Sequence, residues 1–147
     1  MPMSTVSPLF SALAISATLL SASPALAEAV KMTATLEGSQ QVPPVETTGK
    51  GSAEVTYDTD SKKLDWTVEY SGLGEAPAAG HFHGPAPRGA SAGVVIPFEG
   101  DIASPIKGST TLTEEQAADL LAGKYYINIH TPAHKGGELR GQVEKAM

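Results

Sequence analysis

The sequence predicts an all-β chain, an antiparallel sandwich or barrel with one short helix. Several runs alternate apolar and polar residues with period two, which is the signature of half-buried strands. Fifteen Gly and eleven Pro among 147 residues break the chain into short pieces. Only one segment carries helix start and stop signals. Short strands with frequent turns and no α/β alternation give that class.

Residues 1–27 contain no charged side chain. The apolar run Leu9 to Leu20 is too short to span a bilayer comfortably as a helix, and Ala25-Leu26-Ala27 has the small–any–small pattern of a cleavage site. This segment is expected to be a secretory signal peptide, although its start lacks Lys and Arg. Residues 28–147 then form one domain, placed in the periplasm or secreted.

The expected strands follow in order. Met32–Leu36, Ser52–Tyr57 and Lys63–Tyr70 alternate, and Asp58-Thr59-Asp60-Ser61-Lys62 forms the turn between the last two. Two prolines keep Gln40-Gln41-Val42-Pro43-Pro44-Val45 extended, as a loop or the cover of a sheet edge. Gly93–Phe98, Gly108–Leu112, Lys124–His130 and Glu138–Val143 are the later strands. Between them Thr113 and Gln116 make a capping box, Glu114 and Glu115 suit the positive helix start, and Gly123 suits its end. Ala117, Leu120 and Leu121 give this helix of about ten residues its apolar stripe.

Composition excludes several functions. A net charge of −6 argues against a nucleic-acid backbone, or an anionic membrane surface after signal cleavage, as partner. The absence of cysteine removes disulfides, thiolate metal sites and cysteine nucleophiles. No G-x-S-x-G elbow is present, which sets hydrolase chemistry aside, and Asp58 and Asp60 lack the Gly and closing Glu of a calcium loop.

The four histidines fall in two stretches, His81-Phe82-His83 and His130 to His134. On an extended chain residues i and i+2 project to one face, so His81 and His83 can offer two imidazoles to one point. Imidazole suits copper and zinc, with nitrogen at about 2.0–2.1 Å from the ion. His130 is the expected third ligand, and His134 a fourth or an outer group. Glu138 and Arg140 share a strand face; they are expected to pair as a solvated salt bridge or to reach the metal cleft, where Arg140 would steer an anion.

Four segments carry a family resemblance: Leu36–Val45, Gly80–Gly84, Tyr126–Thr131 and Gly136–Gln142. In this order they resemble the chordin-type (CHRD) domain, from about Met32 to Val143. The resemblance implies an immunoglobulin-like sandwich or barrel and an extracellular setting, without a settled biochemical activity. In the chordin-type pattern the place of His134 is often another residue. The H-x-H on a β-scaffold also resembles copper/zinc superoxide dismutases, whose bridging histidine, further zinc ligands and disulfide this chain lacks. Four histidines and no cysteine leave room for one mononuclear site.

The expected function is a metal-binding module holding one ion, copper ahead of zinc, through His81, His83, His130 and His134. An extracellular interaction or adhesion module, with a periplasmic or extracellular protein as partner, is the alternative. A dismutase-like redox enzyme is the third reading.

Overall fold

A computed structural model describes residues 28–147 and, before them, only residues 2 and 19–21. The signal peptide expected over residues 1–27 therefore lies largely outside the described residues. The strands are β1 (Ala29–Glu37), β2 (Lys50–Asp58), β3 (Lys63–Ser71), β4 (Ala79–His83), β5 (Val94–Pro97), β6 (Ile106–Thr111), β7 (Tyr126–His130), β8 (Leu139–Gln142) and β9 (Glu144–Lys145). Helix α1 (Glu114–Leu121) lies between β6 and β7, and a single 3-10 turn, Gly38–Gln40, follows β1. Every pairing is antiparallel. The chain is all-β with one short helix, as its alternation predicts.

The sheet is continuous and curls into a half-barrel, in the order β5-β4-β7-β8-β1-β2-β3-β6, with β9 prolonging the β8 side along β1. Register follows burial. Met32, Val55, Trp66 and Gly108 lie side by side across β1, β2, β3 and β6, as do Ala34, Ala53, Val68 and Ile106. Phe82, Ile127 and Ile129 supply the β4–β7 wall of the same interior. A slip of one residue would turn each row to solvent, so the apolar alternation itself specifies the pairing. Trp66 sits between Phe98, stacked at 5.6 Å, and Phe82, edge-on at 5.2 Å.

The hairpin turn after β2 closes as its residues predict, with Asp58 Oδ1 accepting from the backbone N–H groups of Asp60 and Ser61 at 2.9 Å. Helix α1 has the full capping box: Thr113 Oγ1 accepts from Gln116 N at 3.2 Å, and Gln116 Oε1 from Thr113 N at 3.0 Å. It spans eight residues rather than the ten expected, because the chain leaves the helix at Ala122 and Gly123 takes φ 74°. β4 and β9 were not among the expected strands. β4 buries Phe82 on one face and carries histidines on the other, within a segment whose Gly, Ala and Pro give little strand propensity.

Candidate metal centre

The site lies on the face of the sheet opposite the apolar interior. Alternation that sends Phe82, Ile127, Ile129 and Leu139 inward sends His81, His83, Tyr126, Asn128, His130, Arg140 and Gln142 outward. Register arranges these in rows. His83, Tyr126 and Gln142 are neighbours across β4, β7 and β8; His81, Asn128, Arg140 and Glu37 form the next row, extending onto β1. His130 stands opposite Ala79, diagonal to His81 and within reach of its ring.

Three loops cover this face, so polar residues on it are buried. The segment after β4 is lashed down by Gln142 Nε2 donating to Ala86 O at 2.9 Å, and by a terminal Arg140 nitrogen donating to Ala90 O at 2.7 Å. The proline segment after β1 is held by Gln41 Nε2 donating to Asn128 Oδ1 at 2.7 Å. The third loop, after β7, turns back through His134 N–H donating to Thr131 Oγ1 at 3.2 Å. All four segments quoted for the chordin-type resemblance therefore meet in one polar layer.

His81, His83 and His130 each direct a ring nitrogen to a common point, the three ligand atoms lying within 4.8 Å of one another. Ring centroids are 5.4 Å apart for His81–His83, 5.0 Å for His81–His130 and 6.0 Å for His83–His130. His83 Nδ1 lies 2.9 Å from Ala92 O and His130 Nδ1 2.8 Å from Lys135 O. A carbonyl can only accept, so both Nδ1 atoms carry the proton and both Nε2 atoms keep a lone pair. Those Nε2 atoms and His81 Nδ1 are buried without a partner. An unsatisfied buried polar atom costs about 1–3 kcal/mol, so three of them converging at one point make a candidate ligand site.

Burial favours the neutral form of His81 and His83. Burial, with His130 and His83 alongside, lowers the His81 pKa. Burial also lowers that of His83, against the Ala92 carbonyl, which raises it. Neutral imidazole is the form that binds a metal.

The other expected site residues lie elsewhere. His134 is outside the triad: its Nε2 is 3.8 Å from Glu138 Oε1, and its side chain is about a third exposed. Glu138 and Arg140 form no ion pair and neither is solvated. Glu138, 5% exposed, accepts from Thr131 Oγ1 and Thr47 Oγ1, both at 2.9 Å. Arg140, 2% exposed, lies over Tyr126, its guanidinium carbon 3.6 Å from the ring centroid. Tyr126 stacks on His83 at 5.0 Å and an interplanar angle of 9°. Since β7 runs between β4 and β8, the tyrosine ring separates Arg140 from the triad. The salt bridge expected for Glu138 and Arg140 is thus replaced by two separate buried sets of bonds.

Tyr126, Gln41 and Asn128 are parts of this layer that sequence reasoning missed. Period two would have found Tyr126 and Asn128, which share the outward parity of His130.

A family model described as CHRD domain matches residues 32–143. No curated protein and no solved structure matches the chain significantly. The matched span contains every strand pairing that builds the polar layer from β1 to β8, together with its three covering loops, and the chain belongs to the CHRD domain family.

Proposed function

We propose that this chain is an exported metal-binding module that holds one copper ion through His81, His83 and His130, to buffer or deliver it. The supporting observation is the set of three buried, unpartnered ring nitrogens, one from each residue. Carbonyl bonds already orient two of the rings, which is how a ligand histidine is held in metalloproteins. Imidazole nitrogen suits copper as it suits zinc, and three protein ligands leave a position open on the ion. Export is supported by the uncharged, apolar segment before Glu28 and its Ala25-Leu26-Ala27 end.

The test is a copper titration of the purified chain beside a His81→Ala/His83→Ala variant, by calorimetry and electron paramagnetic resonance. Sub-micromolar, one-to-one binding with nitrogen hyperfine structure, lost in the variant, is the expected result. Binding no tighter than in the variant would overturn the reading. An extracellular interaction module would then take its place, favoured by the two end strands of the sheet, β5 and β6, each paired on one side only among the described residues.

A further inference from the structure

A second feature of the polar layer lies on the far side of Tyr126 from the histidines. There a cleft of about 410 Å³ is lined by Gln40, Val42, Pro44, Arg88, Gly89 and Arg140, among others. That volume falls in the range of small-molecule sites.

Charge in the cleft is unbalanced. Arg140 is 2% exposed, and a buried cation is ordinarily paired with an anion. Among the described residues no carboxylate lies within 4.0 Å of its guanidinium. Its hydrogen bonds run from one terminal nitrogen to Pro87 O at 3.3 Å and Ala90 O at 2.7 Å, with the Tyr126 ring against its face. Glu37, its partner in register, accepts from Ser39 Oγ and lies beyond ion-pair distance, and Glu138 is taken by two threonines. Arg88 is already neutralised: its Nε and one terminal nitrogen contact Glu144 Oε1 at 3.0 and 2.9 Å, and the other donates to Gln40 Oε1 at 3.0 Å. One positive charge is therefore left over.

We propose that this cleft binds a carboxylate, with Arg140 as its counter-ion and the hydrocarbon body of the ligand against Val42 and Pro44. A single unbalanced cation matches a monoanion; a phosphate dianion would leave one negative charge uncompensated in the cleft. The planar guanidinium fork fits the planar carboxylate. Val42, 47% exposed, gives the cleft an apolar wall beside the charge. Free organic acids and the C-terminal carboxylates of peptides share this chemistry. The inference does not rest on the copper reading.

The experiment uses the full chain in EDTA, so that metal binding plays no part. Benzoate, N-acetylphenylalanine, its uncharged amide and inorganic phosphate are titrated at ionic strength matched with sodium chloride. Calorimetry, the thermal unfolding midpoint and the Arg140 Nε–Hε resonance are the readouts. Saturable one-to-one binding of either carboxylate is expected, with a shifted Arg140 resonance and a midpoint raised above that in chloride. Tighter binding of N-acetylphenylalanine identifies a peptide C-terminus as the source, and tighter binding of benzoate a free acid. Arg140→Lys should weaken binding at least tenfold. Val42→Asp, which leaves every Arg140 bond intact and sets a repelling charge at the cleft wall, should do the same. Equal effects of the acid and its amide, equal effects of carboxylate and phosphate, or full affinity in Val42→Asp would each overturn the proposal.

Discussion

Tyr126 ties several parts of the polar layer together. Its ring stacks on His83 and carries Arg140 on its face, while its hydroxyl donates to Ala92 O at 3.0 Å and accepts from Ala92 N at 3.1 Å. The same Ala92 oxygen holds His83 Nδ1, so the tyrosine fixes both the plane of that imidazole and the carbonyl that orients it. Tyr126→Phe keeps the stack and removes both hydroxyl bonds, leaving the Ala92 N–H without its partner. The expected cost is about 1–2 kcal/mol of stability, read by urea unfolding. Copper affinity should fall about tenfold, as for other groups that orient a metal ligand. An unchanged copper affinity at reduced stability would mean that the rest of the loop holds Ala92 unaided.

Elements differ in how legible they were. Seven strands announced themselves because one face of each is apolar and buried while the other is polar, and period two survives in the sequence whatever the partner strand is. β4 hid because its inward positions include Gly80, whose added Cβ would press on Phe98 and Ile129, and because its outward positions are histidines. The triad was legible for the same reason as the strands: i and i+2 on β4, and a strand-end histidine on β7. The covering loops were not, since they are specified by contacts across the fold, such as the Gln41–Asn128 bond between residues 87 positions apart. Gly137 shows how such a contact constrains one residue. It takes φ 117°, and an added Cβ would overlap Asn128 Oδ1 and Gln41 Nε2. Gly137→Ala should therefore cost roughly 2–4 kcal/mol, combining backbone strain with overpacking. It should also weaken copper binding, because the same loop carries the Lys135 carbonyl that orients His130. Gly136→Ala, whose Cβ would meet nothing within 4 Å, is the control and should leave unfolding nearly unchanged. Equal behaviour of the two variants in urea would contradict this account of the loop.

At the scale of the whole molecule, one sheet separates two environments: an apolar interior that supplies stability, and a polar layer that carries the candidate chemistry. Tyr125 stands where this division can be measured. It is 1% exposed, part of the apolar cluster, and immediately precedes the strand that carries Tyr126 outward. Burial, with Asp119 and Glu115 of the neighbouring helix adding repulsion, raises its pKa to about 12. In the unfolded chain a tyrosine titrates near 10. The folded state thus holds the proton more tightly, so this group's contribution is intact below pH 10 and is lost as pH rises from 10 through 12. The linked loss is at most about 2–3 kcal/mol for two pKa units. General repulsion also grows in alkali for a chain already at −6, so the comparison must be with a variant of equal shape. Tyr125→Phe keeps the ring and removes the ionisation; its stability should decline less steeply than that of the parent between pH 10 and 12. Parallel decline of the two proteins in urea unfolding at successive pH values would show that Tyr125 ionises as readily in the folded chain as in the unfolded one, and that charge repulsion alone opens the half-barrel.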